Sequence, residues 1–204
     1  GSVYVDEFKR GYFPRSCPPS SHVTLKFPKT GRMKNDVILH WMDGGIQPTR
    51  PEELGPNDVF GDGGNGTLFI GSKGKMMCGT YNDNPQLLPL SRTAQVHVPQ
   101  KYKRVPGGAE GHYAQWIEAC LAGYGKMEVS SPFEKAGPLV EALLMANLAI
   151  RGFDVERMVN GKTTFPARYV KLVWDNEAMK VTNVDDVNQF VKRTYRDGWG
   201  SLTI

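Results

Sequence analysis

Apolar positions alternate in residues 21–28, "SHVTLKFP", where Val23, Leu25 and Phe27 fall on one face, and a second β-type run follows at 36–42, "DVILHWM". The two predict a hairpin closed across "KTGRMKN". The next stretch, 43–66, reads "DGGIQPTRPEELGPNDVFGDGGNG", and its prolines and glycines rule out a continuous helix or a central strand. Loops of this length in a compact domain are commonly functional or mobile. "TLFIG" and "KMMCGTY" then predict two strands around the turn "GSKG", followed by an irregular segment, "NDNPQLLPLSR".

The periodicity changes in the second half. "EGHYAQWIEACLAG" predicts a helix on which His112, Trp116 and Cys120 form one i, i+4 stripe and Tyr113, Ile117 and Leu121 an adjacent one, with Gly123 and Gly125 ending it. "SSPFEKAGPLVEALLMANLAIRG" has Ser at an N-cap and Pro just inside. Apolar residues then occupy nearly every face from Leu139 to Ile150, the pattern of a central buried helix in which Asn147 must find a partner. "ARYVKLVWD" predicts a strand and "AMKVTN" a shorter one. "VDDVNQFVKRTYRDGW" predicts a final amphipathic helix with Val187, Phe190, Val191 and Tyr195 on its apolar side. Strands in runs followed by helices, without βαβ alternation, predict an α+β fold with a largely antiparallel sheet, in one domain over residues 1–204.

Composition narrows the functional classes. Of 204 residues 40% are hydrophobic, enough for a core, and 25 Lys and Arg against 21 Asp and Glu leave a formal charge of +4. The basic residues are scattered; the cluster Lys101, Lys103 and Arg104 around Tyr102 reads as a solvated loop, with no nucleic-acid motif beside it. No apolar run reaches the roughly 20 residues of a membrane helix, so neither nucleic acid nor membrane is an expected partner. Cys17, Cys78 and Cys120 are too far apart for a zinc ribbon, although a single disulfide is compatible with them.

The motifs are tested by their context. "GDGGNG", residues 61–66, spells the dinucleotide fingerprint G-x-G-x-x-G, which requires a strand before and a helix after, because the helix N-terminus supplies the amides that hold the pyrophosphate. Here a proline-rich stretch precedes it and the strand-like "TLFIG" follows. It reads as a flexible lead-in to that strand, and no cofactor-binding residue is assigned. A Walker loop fails because Ser72 stands where Lys is required, and the kinase signatures are missing. His22, His40, His97 and His112 show no metal-ligand spacing, so no metal or catalytic residue is assigned either. Taken alone, Asp43 with Gly44 and Gly45 reads as turn chemistry, Arg50 as a surface charge and His112 as a structural histidine.

Five phrases in order add a resemblance: "WMDGGIQPTRPEEL", "GNGTLFIGSKGKMMCGTYNDNPQLLP", "RVPGGAEGHYAQWIEAC", "SPFEKAGPLVEALLMANLAIR" and "KVTNVDDVNQFVKRTYRDGW". Over most of residues 22–199 the chain resembles the C-terminal half of Gfo/Idh/MocA-type oxidoreductases of the bacterial subgroup with a long C-terminal domain. The segment 152–176 departs, being longer before its "WD". The resemblance implies an open-faced sheet with helices on one face, as in the C-terminal domains of dihydrodipicolinate and glyceraldehyde-phosphate dehydrogenases. It also implies a parent whose N-terminal Rossmann domain binds NAD or NADP and lies outside this chain, which by itself would bind no cofactor. The implied partners are a sugar, polyol or related carbohydrate and further copies of the chain, a homo-oligomer formed through a sheet face, in the bacterial cytoplasm or periplasm. Candidate pocket residues are Asp43, Arg50, His112 and Tyr113, placed at a strand end, in the long loop and at a helix start. An NAD-assisted glycosidase and a non-catalytic carbohydrate-binding or assembly domain are the alternatives. Asp36 and His40 match the family's D-x-x-x-H by spacing, but on a predicted strand and not on a helix. Glu134-Lys135 is followed by Ala136 where the family's E-K-P has Pro.

Overall fold

The computed structural model describes residues 2–6, 9–13, 17–31 and 33–199. It is a mixed α+β structure with several small antiparallel sheets and two main helices. The strands are β1 (Ser2–Asp6), β2 (Lys9–Phe13), β3 (His22–Phe27), β4 (Val37–Met42), β5 (Thr67–Gly71), β6 (Gly74–Cys78) and β7 (Gln86–Leu88). After the helices α1 (Gly111–Ala122) and α2 (Phe133–Gly152) come β8 (Arg157–Val159), β9 (Lys162–Thr164), β10 (Trp174–Asp175) and β11 (Lys180–Val181). Among the described residues β1–β2, β3–β4, β8–β9 and β10–β11 pair as separate hairpins and β5–β6–β7 as a three-stranded sheet; no single large sheet is formed. The chain divides into two compact units, one of Gly1–Gln47 with Glu118–Ile204 and the other of Pro48–Ile117.

In the first unit β3 and β4 pair as the alternation predicts, with Leu25 opposite Leu39 and Val23 opposite Trp41. Val23, Leu25 and Phe27 are more covered than the strand neighbours between them, because α2 packs against β3. The core of this unit gathers Leu148, Ala167, Val181, Val184 and Val187, with Leu172, Trp174, Phe190 and Val191 against it. Gly152 packs closely there: a Cβ on it would lie 3.0 Å from Val187 Cγ2, so the valine would have to shift to admit one. Asn188 bonds both sides of the Val181 backbone, accepting from its N–H at 2.7 Å and donating to its carbonyl at 2.9 Å. Trp174 Nε1 donates to Glu141 Oε1 at 2.6 Å, tying β10 to α2.

Several elements differ from the sequence expectation. The central buried helix is covered mainly at its C-terminal end: Leu148 and Gly152 are buried, whereas Leu139 is 62% and Leu144 55% exposed. Asn147 is exposed and needs no buried partner. The N-cap of α2 is Pro132, without a side-chain cap, in place of the expected Ser. The predicted strand 167–175 contracts to two residues, because 167–169 form a turn closed by the hydrogen bond from Val170 N to Ala167 O. The expected final helix is a 3-10 turn over Asp185–Phe190. The hairpin β8–β9, unforeseen, turns on Asn160 and Gly161, both at positive φ (50° and 73°), as a two-residue hairpin turn of the mirror-image type demands.

The second unit is built on β5–β6–β7. The expected β5–β6 hairpin closes at Gly71 opposite Gly74, and β7, which falls in the segment expected to be irregular, adds to the far edge of β6. Leu54, Met77 and Leu88 form its core, with Phe60, Leu68 and Leu90 packed around them. Helix α1 begins after a 3-10 turn at Gly108–Glu110 and ends at Gly123 (φ 94°), as expected.

Candidate functional site

Asp43 ends β4 and its side chain turns back onto the residue that leads into β3. Oδ1 accepts from the Ser21 N–H at 2.6 Å, and Oδ2 accepts from the Ser21 hydroxyl at 2.9 Å and from Trp41 Nε1 at 3.2 Å. Those donors, the Ser21 hydroxyl first, hold the carboxyl below its ordinary value. The turn after it is crowded: Gly44 lies at φ 61°, and a Cβ there would come within 2.0 Å of the Pro19 carbonyl oxygen. Asp43 therefore clamps the open end of the β3–β4 hairpin.

Arg50 lies in the second unit, in the long loop. Its Nη2 donates to the carbonyls of Gly55 at 2.5 Å and Asp58 at 2.7 Å, while Asp58 Oδ2 accepts from the Gly55 N–H at 2.8 Å. The guanidinium thus pins the turn over residues 55–58, next to which Leu54 enters the core. His112 and Tyr113 open α1, both exposed, with ring centroids 3.9 Å apart. Among the four candidates the structure brings together His112 and Tyr113, which touch. Asp43 belongs to one unit and Arg50 to the other.

The loop "GDGGNG" is organised around Asp62, a residue that the glycine pattern does not single out. Asp62 Oδ1 accepts from the N–H groups of Asn65 at 2.7 Å and Gly64 at 3.2 Å, and Oδ2 from the Thr80 N–H at 3.2 Å and the Thr80 hydroxyl. These bonds, led by that hydroxyl, hold the Asp62 carboxyl well below the usual carboxylate range. Gly61 and Gly66 are required by close approach, since a Cβ on either would meet the Asn65 or Cys78 carbonyl oxygen at 2.3 Å. The expected open lead-in is a bonded loop that fastens the start of β5 to the end of β6. The Gly64 and Asn65 amides are turned toward the Asp62 carboxylate and the Gly63 N–H toward the Phe60 carbonyl, so these donors are satisfied within the loop. The Asx-turn signal, Asp followed by Gly-Gly-Asn, could have been read from the sequence.

Asp36 pairs with Lys26 at 2.9 Å, which holds its carboxyl below the ordinary value. His40 stands on β4, so the D-x-x-x-H match lies on strand geometry. Glu53 and Lys75 pair at 2.9 Å in the second unit, and the ammonium lowers the Glu53 pKa. Cys78 is buried, which pushes its thiol pKa up, while Cys17 and Cys120 are exposed. Among the described residues no three His, Cys, Asp or Glu gather into a metal-holding group, and no helix is long and apolar enough to cross a membrane. No protein-family model matches the chain, and no curated protein matches it in sequence.

Proposed function

We propose that this chain is the substrate-side α+β domain of a Gfo/Idh/MocA-type, NAD- or NADP-dependent oxidoreductase acting on a sugar, polyol or related carbohydrate. The observation that carries the reading is the occurrence of five family-like phrases in one order across residues 22–199. The mixed α+β architecture is compatible with it. So is the loop "GDGGNG", where the Gly64 and Asn65 amides bond the Asp62 carboxylate; in this reading the dinucleotide is held by a Rossmann domain outside this chain. In this reading the chain's residues bind and orient: His112 and Tyr113 present an imidazole and a phenol to substrate hydroxyls, Arg50 holds the turn over residues 55–58 in the same unit, and Asp43 fixes the end of the β3–β4 hairpin in the other. Hydride transfer requires the nicotinamide beside the substrate carbon, so the chain alone is inactive.

A homo-oligomer formed through a sheet face belongs to the same proposal. Val37, Leu39 and Trp41 share the face of Val23, Leu25 and Phe27 and are exposed. Soluble proteins rarely leave such apolar surface uncovered. A parent protein carrying this chain should reduce NAD or NADP with a polyol or sugar from a panel, and His112→Ala or Tyr113→Phe should raise KM more than they lower kcat. Turnover by the chain alone, or none by the parent on any carbohydrate, would overturn the reading.

A second reading, a non-catalytic carbohydrate-binding or assembly domain, is favoured by one observation: Asp43 and Arg50 spend polar atoms on the chain's own groups. Carbohydrate binding by a parent that never reduces nicotinamide would decide for it.

A further inference from the structure

The polar face of the β3–β4 hairpin carries an arrangement that the proposed oxidoreductase role does not use. Side chains two apart on a strand share a face, so His22 and Thr24 lie on one side of β3, and His40 and Met42 on the same side of β4. The register sets His22 directly opposite Met42 and Thr24 directly opposite His40. Side chains so placed have Cβ atoms about 5 Å apart, close enough for both to reach one ion. The two imidazoles already meet across the strands, His22 Nε2 lying 3.1 Å from His40 Nδ1. Two nitrogens bound to one metal at about 2.0–2.1 Å sit roughly 2.9 Å apart at a right angle and 3.4 Å apart at the tetrahedral angle, and the spacing of the two imidazoles falls within that range.

We propose that His22, His40 and Met42 form a surface copper site, with the two imidazole nitrogens and the Met42 thioether as ligands and Cu(I) as the preferred ion. A thioether is a soft ligand that hard cations and Zn(II) do not favour, whereas two imidazoles and a sulfur suit Cu(I). His22, Thr24 and His40 are exposed and Met42 is half-buried, so the ion enters from solvent. The hairpin is held at both ends independently of the ion, by Asp43 on Ser21 at one and by the Lys26–Asp36 pair at the other. That pair also offsets the charge of the one cationic side chain on this face of β3. Without metal, one ring donates its N–H to the other. Binding turns both facing nitrogens into acceptors of the ion by a tautomer shift that leaves the rings neutral. The Thr24 hydroxyl, 3.1 Å from His40 Nδ1, is the second partner that must yield.

The test uses the full chain with Cys17→Ser and Cys120→Ser, so that exposed thiols do not compete for copper. Under anaerobic ascorbate one equivalent of Cu(I) should be withdrawn from a micromolar-affinity chromogenic chelator. The Met42 ε-methyl signal and the His22 and His40 ring signals should move together while those of His97 and His112 stay in place. Met42→Leu should weaken Cu(I) on the order of tenfold or more and leave Cu(II) uptake nearly unchanged, and His22→Asn or His40→Asn should abolish both. Unchanged amide protection across β3–β4 in the metal-free variants would show that the hairpin persists. No uptake, uptake that His22→Asn leaves intact, or a Met42→Leu chain that holds Cu(I) as well as its parent would each overturn the proposal.

Discussion

The two ends of α2 are built from similar residues and have opposite surroundings. At the C-terminal end Leu148 and Gly152 are buried against Val187 and Ala167, while nearer the start Leu139, Val140, Leu143 and Leu144 face outward. The difference lies in what the following chain supplies. Residues 167–191 fold back as short strands and a 3-10 turn, and Asn188 and Trp174 fasten that return to β11 and α2. An apolar helical face is therefore a demand for a partner, and only one end of α2 has its demand met within this unit.

Four changes would break or sharpen that contrast, taken from the largest effect to the smallest. Val187 is fully buried, and Val187→Asp places an unpaired carboxylate in the core, which should cost about 4 kcal/mol or more and remove amide protection from β11 and the last turns of α2. Leu148→Ala should cost about 2–4 kcal/mol in chemical denaturation by leaving a cavity. Asn188→Ala leaves the Val181 N–H and carbonyl without their partner and should cost about 1–3 kcal/mol. Leu144→Ala, the same truncation as at Leu148 but on the exposed side, should stay within about 0.5 kcal/mol; a cost equal to that of Leu148→Ala would erase the contrast.

The smallest effect is local and lies in the other unit, where hydrogen bonds to a charge do what burial does around Val187. The Asp62 pKa is lowered in the folded chain, so its contribution is present above the ordinary carboxylate range and lost as pH falls through the lower folded value. In a pH titration followed by NMR the amides of Gly64, Asn65 and Thr80 should keep their shifts through the range in which ordinary aspartates titrate. Asp62→Asn should flatten the remaining acid response and speed exchange of those three amides several-fold, with Leu148 and Val187 undisturbed.

How much of this was legible follows from where the signal is local. The β3–β4 and β5–β6 pairs were readable because strict alternation and the "GSKG" turn lie within a few residues of each other. β7 was hidden between Pro85 and Pro89, which suit an edge strand yet read as breakers. The final helix shrinks to a 3-10 turn because the spacing of Val187, Phe190 and Val191 fits either form, and Asn188 bonding to Val181 settles the matter only in three dimensions. At the candidate site the turn character of Asp43 was legible, but its hold on Ser21 was not. The role of Asp62 is masked by the glycine spacing, which has the form of a nucleotide loop although the carboxylate among the glycines organises the turn.

The hairpins also bear on how quickly the molecule forms. Every strand pair among the described residues joins neighbours in sequence, so each ladder needs only a short loop to close, an event of microseconds. No ladder waits for a distant segment to arrive. The searches that take time are the docking of α2 on β3 and the return of Val187 to Leu148. Substitutions in that contact are expected to alter the folding rate, whereas those in the β5–β6 turn act chiefly on how long the finished structure lasts.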